Sequence, residues 1–289
     1  RMKYVKKVLG EDLRQYTMVV ALVALIIIFN IVSGGKMVTS SNFQNLIAGN
    51  AYVLVLALGM LMVIVIGQID LSVGSVAGFA SMVMAIAARQ FNLPWYLAIL
   101  ISLAIGTIAG AWQGFFLSVL GIPGFITTLG GMMIFRGGVI WISNSISVPV
   151  PSELKWFGAG YLPEWGPAFT GMNNSTLLLG ILAIAAYVLA QMRKFSHSGD
   201  VTGEKEEFWP FAVRIAIVAV VIGYATWLFG SGRPGTGFPI SGLFLMLLII
   251  LYYLITERTS FGRHVYAVGG NKMAAELSGV NVRRTYFLT

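Results

Sequence analysis

The chain has 289 residues, 57% of them hydrophobic and only 10% charged, with a formal net charge of +8 and no cysteine. An average soluble domain carries roughly 25% charged residues, so this composition excludes an ordinary water-soluble domain. The absence of cysteine excludes disulfide frameworks and thiol chemistry.

Residues 1–16 place Val5, Val8, Leu9, Leu13 and Tyr16 at helical spacing with lysines between them, the pattern of an interfacial helix on the cytosolic surface. No clear small-residue cleavage site follows, and more apolar runs come after it, so it is not read as a secretory signal. Apolar runs then recur at Thr17–Val32, Leu46–Ile66, Leu71–Ala88, Pro94–Leu120, Ile122–Ile142, Thr176–Met192, Phe211–Phe229 and Gly237–Thr256. Most have about the 20 residues that cross a hydrocarbon core of roughly 30 Å, and a lone segment in lipid must satisfy its own backbone groups as a helix. The expectation is an all-α, polytopic membrane helix bundle of about eight spans. In chain order it comprises a cytosolic interfacial helix (1–16), a first transmembrane bundle of about five spans (17–142) and an external loop (143–175). A second group of about three spans (176–256) follows, with a polar cytosolic loop at 193–210, and then a cytosolic segment leading into the start of a further span (257–289).

Charge supports this topology. With an N-terminus in the cytosol, 14 of the 19 Lys and Arg residues fall inside and four (Lys36, Arg89, Lys155, Arg233) outside, with Arg136 left within a span. That is the positive-inside pattern, with attraction to anionic membrane lipid at the inner face. Nucleic acid is not needed to explain the basic charge.

Asp70 is the one acidic residue placed within the apolar spans, and Gly67, Gly74 and Gly78 surround it. A charge at membrane depth is costly and is retained where it meets a partner, a cavity or the interface. A broken helix carrying a carboxylate suits a transport pathway. It equally suits an ion-gradient-driven secondary transporter with Asp70 as its coupling carboxylate. Arg136 either snorkels to the outer headgroups, faces the pathway or pairs with Asp70. Gly106, Gly110 and Gly114 form a Gly-x-x-x-Gly-x-x-x-Gly seam for close helix packing.

The external loop carries Pro149, Pro151, Pro163 and Pro167 among Trp156, Phe157, Tyr161, Trp165 and Phe169, and reads either as a partner surface or as an interfacial aromatic anchor. The Ser-His-Ser-Gly-Asp stretch near residue 197 reads as a solvated linker. In the last segment Asn271 is placed to cap a short helix from Lys272 that Gly279 ends. Met273, Ala274 and Leu277 form a small apolar face on it. No Gly-x-x-x-x-Gly-Lys-Ser/Thr, His-Glu-x-x-His or Gly-x-Ser-x-Gly occurs, and His197 and His264 are far apart in sequence. No catalytic residue, metal site or cofactor is expected in this chain; energy for uphill transport comes from an ion gradient or from another subunit.

Gly67-Gln-Ile-Asp-Leu-Ser-Val-Gly-Ser75 resembles the Ile-Asp-Leu-Ser-Val-Gly-Ser signature of permease subunits of bacterial sugar ABC importers, in the ribose/xylose/galactose branch. Residues Gly262–Val282 resemble the cytosolic segment of the same family, and Pro123–Gly138 fits it too. The polar insertion near Gly199–Glu207 looks most like the xylose or multiple-sugar permeases. The resemblance implies a homodimeric inner-membrane permease without enzymatic activity, working by alternating access. It also implies a cytosolic ATPase subunit that binds the ATP and a periplasmic sugar-binding protein. It marks Asp70, Leu71, Ser72, Gly74, Ser75, Thr127, Thr128 and Arg136 as pathway or motif residues. Asn271, Met273, Ala274, Ala275, Leu277 and Gly279 become the ATPase-coupling segment, where Met273 stands at a position that often holds Glu. Family members carry further spans after this segment, so the chain is expected to lack its C-terminal ones.

Overall fold

A computed structural model of the chain describes residues 13–167, 170–196 and 208–289. The expected interfacial helix therefore lies almost wholly outside the described residues, as does most of the polar loop near residue 200. The described residues form twelve α-helices: α1 (Leu13–Val32), α2 (Ser40–Val65), α3 (Val73–Arg89), α4 (Trp95–Ser118), α5 (Gly124–Ser143), α6 (Ser152–Ala159), α7 (Asn174–Ser196), α8 (Phe208–Gly230), α9 (Ile240–Arg258), α10 (Ser260–Gly270), α11 (Lys272–Leu277) and α12 (Val282–Leu288). A lone antiparallel bridge, Tyr161 with Pro239, is their only β pairing.

Six helices, α2, α4, α5, α7, α8 and α9, are long and apolar enough to cross a membrane, and only 11 to 22% of the residues in their most apolar windows are buried. Large side chains such as Ile31, Leu103, Met133, Trp141 and Val220 are more than half exposed. An apolar surface of this extent has no place in water, so the chain is a multi-pass membrane protein. About eight spans were expected. The other two apolar helices are shorter, Val20–Val32 within α1 and the whole of α3, Val73–Arg89. The 17 residues of α3 rise only about 26 Å, because the chain at residues 66–72, counted partly into that span, is unwound.

The chain divides into two compact units, each drawn from two stretches of sequence. Unit 1 comprises residues up to Ile47 and Tyr161–Pro239, with α7 packed on α8. One end of it is held by buried polar groups. The fully buried Gln44 donates from Nε2 to the carbonyls of Phe229 (2.8 Å) and Gly237 (3.2 Å) and accepts from the Thr236 hydroxyl (3.0 Å). The Asn173 side chain accepts from the Thr176 backbone N–H and hydroxyl, and donates to Glu164. Thr176 Oγ1 in turn accepts from the Phe238 N–H at 2.8 Å.

Unit 2 comprises Ala48–Gly160 and Ile240–Thr289. Within it α3 packs on α4 and α5, α4 on α5 and α12, and α9 on α6 and α10. The eight-residue α6 was not foreseen inside the external loop. Its Leu154 packs on Ala87 and Ala98, and its Phe157 ring meets Trp95 at 5.4 Å and Phe244 at 5.8 Å. The main apolar core joins Met62 and Ile66, at the end of α2, to Val265, Val268, Ala275 and Val282.

Replacing Gln44 by Leu strands the buried Gly237 carbonyl and the part-buried Phe229 carbonyl. We expect a loss of roughly 2–4 kcal/mol, seen as a lower unfolding midpoint of the purified chain in detergent; an unchanged midpoint would show the polar lock to be dispensable.

Candidate functional site

The unwound stretch between α2 and α3 begins at a glycine cap. Gly67 sits at φ +75°, with its N–H on the Ile64 carbonyl and the Gln68 N–H on Val63. These bonds are those of a Schellman ending, which requires the left-handed conformation that glycine adopts without a Cβ clash. From there the chain continues without regular structure, through a bend at Leu71, to Ser72 at the start of α3.

Irregular backbone at membrane depth is tolerated only where protein covers it or a cavity meets it. Here both conditions hold. Asp70 Oδ1 accepts from the Ser72 backbone N–H and from the Ser72 hydroxyl, each at 2.7 Å. The fully buried Ser72 Oγ accepts in turn from Gln113 Nε2 of α4 at 2.8 Å. From the other side, Thr128 of α5 takes the Leu71 N–H on its hydroxyl oxygen (3.1 Å) and donates to the Ile69 carbonyl (3.2 Å). The stretch is thus stapled between two helices. Gln113 reaches it because residue 131 has no side chain: a Cβ on Gly131 would overlap the Gln113 amide.

Gln113 lies five residues before Ser118, where α4 ends, and Thr128 four residues after Gly124, where α5 begins. At 1.5 Å per residue the Asp70 turn lies about 6–8 Å inward from those helix ends. Two cavities flank it. One, of about 340 Å³, is lined by Asp70, Gln113, Thr127 and Thr128 together with Tyr286 and Phe287 of α12. The other, of about 240 Å³, lies between Asp70, Ser72 and Gln113 and the faces of α3 and α4.

Of the residues marked from sequence, Asp70, Leu71, Ser72 and Thr128 are brought together, and Thr127 joins them on the cavity wall. Gly74 and Ser75 occupy the first turn of α3. Arg136 stands apart, eight residues beyond Thr128 or about 12 Å along α5, and exposed. Gln113 was missed; its signal was a lone amide side chain in the apolar helix α4.

The second marked segment folds as three short helices. Thr259 caps α10 through the Gly262 N–H, and Asn271 caps α11 by accepting from the Ala274 N–H at 3.0 Å. Gly279, at φ +85°, ends α11 with a second Schellman pair, its own N–H on Glu276 and that of Val280 on Ala275. His264 lies within α10. Ala275 faces inward at 5% exposure, so it belongs to the core and not to the outward face with Met273 (74%) and Leu277 (85%). Lys272 Nζ lies 5.4 Å from the centre of the Tyr286 ring, a cation–π distance. Among the described residues, no His, Cys, Asp and Glu side chains gather into a metal-binding group.

The family described as branched-chain amino acid transport system / permease component matches residues 42–289. The chain belongs to this family of transport-system permeases; it is a membrane-spanning permease component and not an enzyme. Among its relatives, the xylose transport system permease protein XylH of Escherichia coli is 35% identical over 95% of this chain and 67% of the relative. XylH of Haemophilus influenzae is 33% identical over 96% of this chain and 72% of its own length. The inner membrane ABC transporter permease protein YjfF of Escherichia coli is 27% identical over 83% of this chain and 52% of the relative. No solved structure matches.

Asp70→Asn preserves an oxygen acceptor for the Ser72 N–H, whereas Asp70→Leu removes it. With transport assayed in cells at equal protein level, we expect Asn to reduce uptake and Leu to reduce it further, by about tenfold or more, as for a buried hydrogen-bonded group left unpaired. Equal, full uptake by both variants would remove Asp70 from the site.

Proposed function

We propose that this chain is the translocation subunit of an ATP-driven sugar importer of the bacterial inner membrane, with a pentose such as xylose as its cargo. The observation that carries the cargo assignment is the identity with xylose permeases over almost the whole chain. The broader family description includes branched-chain amino acids, which makes leucine the natural competing cargo in any test.

In this reading two copies of the permease flank a pathway that passes the Asp70 turn, and the N-terminus lies in the cytosol, in keeping with the internal bias of Lys and Arg. A periplasmic binding protein delivers the sugar. A cytosolic ATPase holds the ATP and docks on α11 through Met273, Ala274 and Leu277, whose exposure leaves them open to a partner. Closure of the ATPases moves the docked helix and biases the pair between outward- and inward-open forms. The ATPase must therefore bind the two forms unequally. Asp70, Ser72, Thr127, Thr128 and Gln113 line the route as hydrogen-bonding groups that suit hydroxyl-rich cargo. Asp70 Oδ1 is held by two donors from Ser72, and no ion coupling is invoked.

Two variants test the docking face. Leu277→Asp places a charge on the apolar face, and Gly279→Arg forces a side chain into a left-handed turn. Each should leave membrane insertion intact and reduce co-purification of the ATPase by about tenfold. Undiminished co-purification with both would overturn the docking role. Uptake of labelled xylose that unlabelled leucine suppresses as well as xylose does would overturn the cargo, and uptake that survives ATP depletion but collapses with the ion gradient would favour a secondary transporter.

A further inference from the structure

The segment that carries α11 grips α2, from which the Asp70 turn departs, and α4, one of the two helices that hold it. On one side, Val265, Val268, Ala275 and Val282 share a core with Met62 and Ile66, the last turn of α2 before the break. Contact there is close: a Cβ on Gly269 would overlap the Val65 carbonyl. On the other side, Arg283 Nε donates to the Ser118 carbonyl at 3.0 Å. Ser118 is the last residue of α4, so a guanidinium meets the negative end of that helix dipole. One turn further along α12, Phe287 lies on Gly114, where an added Cβ would stand 3.1 Å from its carbonyl oxygen. Gln113, the neighbour of Gly114, is the residue that holds Ser72 and through it Asp70. The same helix α12 supplies Tyr286, Phe287 and Leu288 to the wall of the larger cavity opposite Asp70.

These contacts leave little slack. Between α11 and α12 lie only four residues, Ser278–Asn281, and Asn281 caps α12 by accepting from the Arg284 N–H at 2.9 Å. Packed interfaces move as units and not by continuous deformation. Displacement of α11 therefore reaches α4 through α12.

We propose that Arg283 is a positioning residue that ties the coupling segment to α4, so that α12 acts as a movable wall of the Asp70 cavity. The inference rests on the importer reading above and adds to it a route within unit 2 and a residue that no motif marked.

These 289 residues hold no cysteine, so a reporter thiol placed among them is read on its own peptide by mass spectrometry. Ala111→Cys places one on α4 at the cavity wall. The full-length permease, assembled with its ATPase and binding protein in proteoliposomes, is labelled with N-ethylmaleimide without ATP and after vanadate trapping. We expect the labelling rate to differ by about fivefold between the two states. Adding Arg283→Met should leave ATPase co-purification unchanged and reduce that difference to less than about twofold, with uptake per ATP hydrolysed falling about tenfold. If Arg283→Met does not assemble, Gly114→Ala, which crowds the same seam from the α4 side, is expected to give the same loss. A state-dependent difference that persists in the variants overturns the proposal while leaving the importer reading in place. So does loss of ATPase binding in Arg283→Met, which would make Arg283 a docking residue, or an unsubstituted complex that shows no difference at all. Failure of the parental chain to bind any ATPase would overturn the importer reading, and this inference with it.

Discussion

The structure of unit 2 depends on how four residues of unwound backbone, Ile69–Ser72, are satisfied at membrane depth. In lipid an unpaired peptide group costs several kcal/mol, and a carboxylate costs more. The solution here is reciprocal: Ser72 gives Asp70 two donors, Gln113 donates to Ser72, and Thr128 both accepts and donates along the backbone. Removing α4 or α5 from this arrangement would leave polar groups orphaned, so the break specifies which helices must stand beside it. It also shortens α3 and opens room on either side of the turn. Such a network holds the turn in place only when every member is paired.

The segment of α10, α11 and α12 complements this break. Its three short helices are secured by Thr259, Asn271 and Asn281 at their starts, each accepting from a backbone N–H in the first turn. Caps of this kind offset the weak intrinsic stability of helices only two or three turns long. The buried side of the segment is aliphatic and continuous with the end of α2, while Met273 and Leu277 project outward.

Unit 1 shows a different balance. Its helices α7 and α8 pack through aromatic and small residues, including Phe195 stacked on Phe211 at 4.3 Å, whereas one end is closed by Gln44, Asn173, Thr176 and Glu164. Buried polar groups that are fully paired specify one arrangement of the loops around them. That end is built for a defined shape, and its amides sit at the start of membrane-length helices.

The positions of the membrane helices were legible in the sequence because hydropathy over about 20 residues is a local property that lipid enforces without reference to neighbours. Asn271 and Gly279 were legible for a similar reason, since caps and left-handed turns depend on a few adjacent residues. Asp70 stood out as a charge in an apolar run, and the motif around it carried the family. Span lengths were less secure: Leu71 and Ser72 are apolar or small enough to be counted into a helix, yet their N–H groups are taken by Thr128 and Asp70 and Gln113 holds the Ser72 hydroxyl. The separation of Arg136 from Asp70, the inward turn of Ala275, the role of Gln113 and the grip of Arg283 on Ser118 all join residues distant in the chain. Composition and spacing are silent on such pairs. Local sequence determined which segments enter the membrane and where they stop; tertiary structure decided which polar groups meet, because a hydrogen bond between two helices is fixed by how those helices pack.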